Sequence, residues 1–295
     1  MTMILAGCGG GGESTKTGKS GINFDEYPET KSYTKDEVLH SYFDPIESCE
    51  DGDIAYLSLS TIDNGYIGIA LKEVMGSKVK IRISKNDTTY TYDLDNTDMV
   101  AFPLQMGNGT YMIKILENIE GNQYAVLYKT EIEVNLSDEN LPYLYPNQIV
   151  DYDKSDIVID KSFEVVKDDK NDLKRIYDLY LYVMEVLNYD NDKAKNVVDI
   201  YTLPNLEEAM EKGAGICFDY ASLLAALCRC QHIPARVIVG YTDIEYHAWV
   251  EAYVESEGWI NPKYYFDSEN WSLIDPTFDD SGNDYEGAYD EVYRY

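Results

Sequence analysis

At 295 residues with 44% apolar content, the chain is long enough for about two domains, each with its own core. Its 54 Asp and Glu against 24 Lys and Arg give a formal net charge of −30, and so negative a surface repels phosphate backbones, which excludes nucleic acid as a partner class. No run reaches the roughly 18 apolar residues of a membrane-spanning helix, and the 28 tyrosines against 7 phenylalanines suit strand-rich, half-wet surfaces.

At the start, Leu5-Ala6-Gly7-Cys8 is similar to a bacterial lipobox and runs into four glycines and a polar stretch. The expectation is a lipobox remnant and flexible tether over 1–21, with Cys8 the lipidation site. That would place the protein outside the cell, lipid-anchored at the bacterial cell surface, with no other membrane contact.

From Asp53 to Leu136 the sequence alternates apolar and polar residues in short runs such as "DIAYLSLS", "KVKIRIS" and "TYMIKILE", separated by turn clusters such as "DNG" and "EGN". Seven or so strands at this spacing, without helical periodicity, predict an antiparallel β-sandwich of Ig-like type over 22–137. It carries no catalytic set and reads as a spacer or binding module. Prolines and acidic residues then mark a connector over 138–160. Beyond it, Leu173, Ile176, Tyr180, Val183 and Leu187 fall on one helical face, with Asp172 as the expected N-cap.

The chemistry is concentrated around "GAGICFDYASLLAALCRCQ". Apolar residues at three- and four-residue steps predict a largely buried helix, and Gly213 and Gly215 let the chain turn sharply into it. Cys217 then sits at the first turn, where unpaired backbone N–H groups and the helix dipole favour an anion. A single cysteine there is also a common packing residue, so the downstream blocks decide. "HIPARVIVGY" reads as a loop and strand, and "HAWVEAYV" as a second strand starting with His247. "WSLIDPTF" reads as a third strand, carrying Asp275. Two adjacent antiparallel strands could set His247 opposite Asp275, with the cysteine helix across them.

The ordered blocks "GAGICFDYASLLAALCRCQHIPARVIVGY", "YHAWVEAYV" and "WSLIDPTF" resemble the transglutaminase-like superfamily, which is papain-related, over residues 160 to 280. The resemblance implies an α+β chain in which a papain-like transglutaminase core, a helix packed on an antiparallel sheet, occupies 161–295 behind the N-terminal β-sandwich. It implies Cys217 as nucleophile, His247 as base and Asp275 as the orienting carboxylate of a cysteine-dependent amide hydrolase or acyltransferase. The expected function is a cell-surface peptidase or amidase working through a thioester on a protein or peptide, cell-wall peptide included. Protein-glutamine cross-linking and a noncatalytic surface-binding protein on the same scaffold are the alternatives. His232 stands where the family pattern has glycine, and is read as a loop residue without a role.

No cofactor and no metal are expected. The Cys228/Cys230 pair lacks a second ligand pair. The acidic run "DDSGNDYEGAYDE" does not follow calcium-loop spacing and reads as a solvated tail. Cys49 stands alone in an acidic loop. Trp249 and Tyr241 are read as strand aromatics packing in the core, and Asp219 as a structural residue of the helix start.

Overall fold

The computed structural model describes residues 22–153, 155–196, 202–242, 246–266 and 289–295. Among these, the alternating runs become two antiparallel four-stranded sheets. One orders β1 (Glu50–Asp51), β2 (Ala55–Ser58), β3 (Tyr66–Leu71) and β6 (Val100–Pro103). The other orders β5 (Thr88–Leu94), β4 (Val79–Lys85), β7 (Gly109–Glu120) and β8 (Gln123–Val134). In β4, Val79, Ile81 and Ile83 are buried whereas Arg82 between them is exposed, as a period of two requires of a half-buried strand. Every residue of β3 is buried, which fits its uninterrupted apolar run. Leu57, Ile67 and Ile69 of the first sheet join Ile81, Ile83, Ile113 and Ile115 of the second in one apolar core.

Among the described residues the stretch that follows, up to a third four-stranded sheet, is mainly helical, with one two-stranded parallel sheet. Its elements are α1 (Asp156–Val165), α2 (Asp172–Val186), β9 (Asn188–Tyr189), α3 (Asn191–Asn196), α4 (Leu206–Lys212), β10 (Ala214–Gly215) and α5 (Cys217–Cys230). Then come β11 (Ala235–Thr242), β12 (Tyr246–Val254), β13 (Gly258–Ile260), α6 (Pro262–Phe266) and β14 (Tyr289–Arg294). The third sheet is antiparallel in the order β13-β12-β11-β14. Its Ala235, Val237, Ala248, Val250 and Ala252 share a core with Leu223, Leu224, Ala226 and Leu227 of α5. The α+β class therefore holds: antiparallel sheets in the N-terminal part, and helices packed on an antiparallel sheet over 159–262.

Two local expectations change. The N-cap of α2 is Asn171, whose side chain accepts the Lys174 N–H at 3.0 Å, and not Asp172. Asp172 is instead the first helical residue, and it accepts hydrogen bonds from Thr30 at 2.7 Å and Arg175 at 2.6 Å. Asn and Asp cap about equally well, so the tertiary partners of Asp172 shift the boundary by one residue. Tyr241, expected in the core, is 56% exposed, whereas Trp249 is buried as expected.

Long-range polar contacts tie the ends of the chain to its middle. The segment before β1 crosses the helices: buried Arg175 donates to Thr30 Oγ1, Ser32 Oγ and the Lys31 carbonyl, and Tyr33 stacks on His232 with ring centres 3.7 Å apart. Arg229, fully buried near the end of α5, donates to Ala235 O at 2.9 Å, Tyr145 O at 2.7 Å and the Tyr295 main-chain oxygen at 3.1 Å. Tyr90 and Tyr92 of β5 meet Tyr295 edge-on, with centroids 5.6 and 5.9 Å away. These contacts seat β14 against the edge strand β5 and carry the N-terminal sheet up to the region of Cys217.

Candidate functional site

The approach to Cys217 is built by two glycines and a short parallel bridge. Gly213 closes α4 in the left-handed region at φ 60°, where a side chain would be strained. Ala214 and Gly215 pair with Asn188 and Tyr189. A Cβ on Gly215 would lie 2.7 Å from the Asp219 Cβ, so only glycine lets the chain pass this close to the helix it is about to enter. Ile216 is the N-cap but has no side-chain acceptor; Asp219 in the first turn accepts the Ile216 N–H at 2.9 Å instead.

Asp219 is 1% exposed, a costly place for a carboxylate without a counter-charge. Lys193 of α3 supplies one, at 2.8 and 2.7 Å from its two oxygens. The structural reading of Asp219 is thus given a partner that its sequence neighbourhood does not reveal.

His247, the second residue of β12, is 2% exposed and stands opposite Gly240 of β11. Cys217 and His247 line one cavity of about 430 Å³, within the range of roughly 300–1,000 Å³ usual for ligand sites. Its lining also includes Ile216, Phe218 and Val239, Tyr293 of β14 with the adjoining Tyr295, and Lys80, Thr91 and Asp93 of the N-terminal sheet. A thiol and an imidazole lining one cavity are the residue types of nucleophile and base in thiol acyl transfer. Asp275, the expected orienting carboxylate, and Cys8, the expected lipidation site, lie outside the described residues.

The other described cysteines sit in settings hostile to a thiolate. Cys228 and Cys230 are fully buried, and that burial pushes both thiols far above the ordinary range. Burial, helped by the charges of Asp44 and Glu47, raises the Cys49 thiol. Cys217, half-buried at its helix start, opens onto the cavity. Among the described residues no group of three or more His, Cys, Asp or Glu is arranged to hold a metal ion.

Sequence reasoning missed three contributors to this site. Lys80 and Asp93 lie on a sheet more than 120 residues away in the chain, and Lys193 sits in a short helix with no local signal. None has a motif. His232, read as a loop residue without a role, adopts φ 58°, the left-handed region that favours glycine, and its Nε2 lies 2.7 Å from the Glu37 carbonyl. The ring clamps the N-terminal segment beneath the end of α5.

Among solved structures, a candidate cysteine protease from Cytophaga hutchinsonii is similar at 14% identity and a TM-score of 0.37, covering 78% of this chain and 91% of that one. Red sea bream transglutaminase is similar at 13% identity and a TM-score of 0.30, covering 68% of this chain and 48% of that one. A candidate protease from Parabacteroides distasonis is similar at 10% identity and a TM-score of 0.29, covering 62% and 37%. No curated protein matches the chain. Residues 159–262, the segment that contains both Cys217 and His247, match the family model of the transglutaminase-like superfamily.

Proposed function

We propose that the chain is a cysteine-dependent amide hydrolase that cleaves a peptide or protein amide through a thioester. The observation that carries this is that Cys217, at a helix start, and His247 line the same cavity of about 430 Å³. In this mechanism the Cys217 sulfur attacks the amide carbonyl carbon, and the carbonyl oxygen takes up the negative charge near the Cys217 backbone N–H. His247 takes the thiol proton and passes it to the departing amine as the C–N bond breaks. Water then attacks the thioester and frees the acid and the thiol. Asp275 is assigned the role of holding the imidazole in its working tautomer.

The finer features belong to the same proposal: a papain-like core behind an Ig-like sandwich, a lipid anchor on Cys8 and a location at the bacterial cell surface. Resolution of the thioester by an amine would make the enzyme a transamidase. The polar groups lining the cavity, Lys80, Thr91 and Asp93, favour water. Iodoacetamide at near-neutral pH tests the core claim, with Cys217 expected to be modified well before Cys49, Cys228 and Cys230. Equal modification of all four would sink it. Incubation with a glutamine-containing protein and a labelled amine separates the two outcomes of the thioester, since robust amine incorporation would replace hydrolysis with transamidation.

A further inference from the structure

The sheet β5-β4-β7-β8 turns Ile81, Ile83, Ile113 and Ile115 into the core, so the alternate residues of these strands face outward. In the strand register Arg82 of β4 stands opposite Lys114 of β7, and Lys114 stands opposite Lys129 of β8. Residues directly opposite on antiparallel strands lie on one face with Cβ atoms about 4.5–5.5 Å apart, and like charges so placed repel. Three cations therefore form a row across three neighbouring strands. Among the described residues none of them makes an ion pair, in a chain that carries a formal charge of −30.

The row leads toward the cavity. Lys80, two residues before Arg82 on the same face, lines the cavity together with Cys217 and His247, and its ammonium is held 2.8 Å from Asp93. Carboxylates on this face include Asp93, engaged by Lys80, Glu131 of β8, opposite Met112, and Glu133, opposite Thr110 and hydrogen-bonded to it. Arg82 and Lys129 are exposed and Lys114 is half-buried, so the charges remain accessible at the sheet surface. Val126, on β8 opposite Leu116, is 50% exposed and adds an apolar contact beside the row.

We propose that Arg82, Lys114 and Lys129 form a docking surface for an acidic polypeptide segment, rich in Asp and Glu, that belongs to the substrate of the Cys217 site. The word substrate rests on the function proposed above; the docking surface itself does not. Charge complementarity selects the occupant: carboxylates spaced along an extended chain can meet the cations one by one, and with fewer charges per length than a phosphate polymer they meet less repulsion from the negative remainder of the chain. The row acts mainly on specificity and capture, because partly exposed ion pairs are individually weak.

Fluorescence anisotropy on the full chain tests this with two labelled peptides, one alternating Glu and Gly, the other alternating Gln and Gly. The Glu peptide is expected to bind and to weaken as salt rises, the Gln peptide to bind far less. Joint substitution Arg82→Gln, Lys114→Gln and Lys129→Gln should weaken the Glu peptide about tenfold, and Lys114→Gln alone about threefold. Lys161→Gln, on α1, should leave binding unchanged. Equal binding of the two peptides, no loss in either row variant, or tighter binding of a single-stranded oligonucleotide of equal charge would each overturn the proposal. Cys217→Ala should bind the Glu peptide as the unaltered chain does, so a failed docking surface and a failed thiol mechanism are read from different experiments.

Discussion

Cys217 and Cys228 belong to the same helix, yet the protein gives them opposite surroundings. At the start of α5 the thiol is half-buried and lines a cavity shared with His247, next to first-turn N–H groups that have no intrahelical partner. Toward the end of α5 the thiols of Cys228 and Cys230 are sealed in, beside an arginine whose guanidinium is fully buried among backbone carbonyls. From Asp219 to Cys230 every residue is buried. One end of the helix is organised for chemistry and the other for holding the molecule together. Burial, and not the sulfur itself, separates the two.

The largest expected effect would come at the first end. Cys217→Ala should abolish turnover and remove the fast-alkylating site, while thermal melting stays close to that of the parent, because alanine fits a helical first turn at little cost. Retained turnover on a screened peptide would break the contrast outright. At the other end, Arg229→Met should leave the carbonyls of Ala235 and Tyr145 and the Tyr295 oxygen without their donor, at a cost of about 3 kcal/mol or more. Urea unfolding measures it, and a variant as stable as the parent would show that the C-terminal end is not the anchor described.

A middle-sized effect sharpens the division within the first turn. Lys193→Met strands the Asp219 carboxylate, which is 1% exposed, and should cost about 2 kcal/mol, whereas Asp219→Asn removes the charge itself and should cost less. Denaturation of both variants checks the order; a reversed order would mean that the carboxylate is needed for more than its lysine. The smallest effect is at His232, just beyond α5. Burial is the main cause that lowers its pKa from the ordinary 6.5. The unfolded chain therefore binds the proton more readily than the folded one, and stability contributed here is lost as pH falls below about 6.5. His232→Gly relieves a backbone at φ 58° but gives up the stack on Tyr33, so the melting temperature at pH 8 should move little while the acid-side loss shrinks. Melting curves at pH 8 and pH 5 would expose a discrepancy if the variant lost as much on acidification as the parent.

Much of this was legible from local pattern. The buried run of α5 follows from apolar residues at helical steps, and the two N-terminal sheets from alternation, because each pattern reports which side of its own element faces a core. Local pattern also failed in specific places. Asp172 was the expected cap of α2, but Asn171 next to it is equally suited, and only contacts with Thr30 and Arg175 distinguish them. Tyr241 looked like a core aromatic of β11, yet it falls near the strand's end and is left in solvent.

By itself the sequence determined the residue types, the order Cys217 then His247, and the glycines that admit a tight turn into the helix. Those are properties of neighbours in the chain, and neighbours constrain one another sterically whatever the rest of the molecule does. Tertiary structure alone decided that Lys193 neutralises Asp219, that Arg229 gathers carbonyls from three separate segments, and that Lys80 and Asp93 of a distant sheet wall the cavity beside Cys217. Each of these joins groups that burial has removed from water. A buried charge or carbonyl takes whichever partner the packing brings within reach, and sequence separation has no part in that choice.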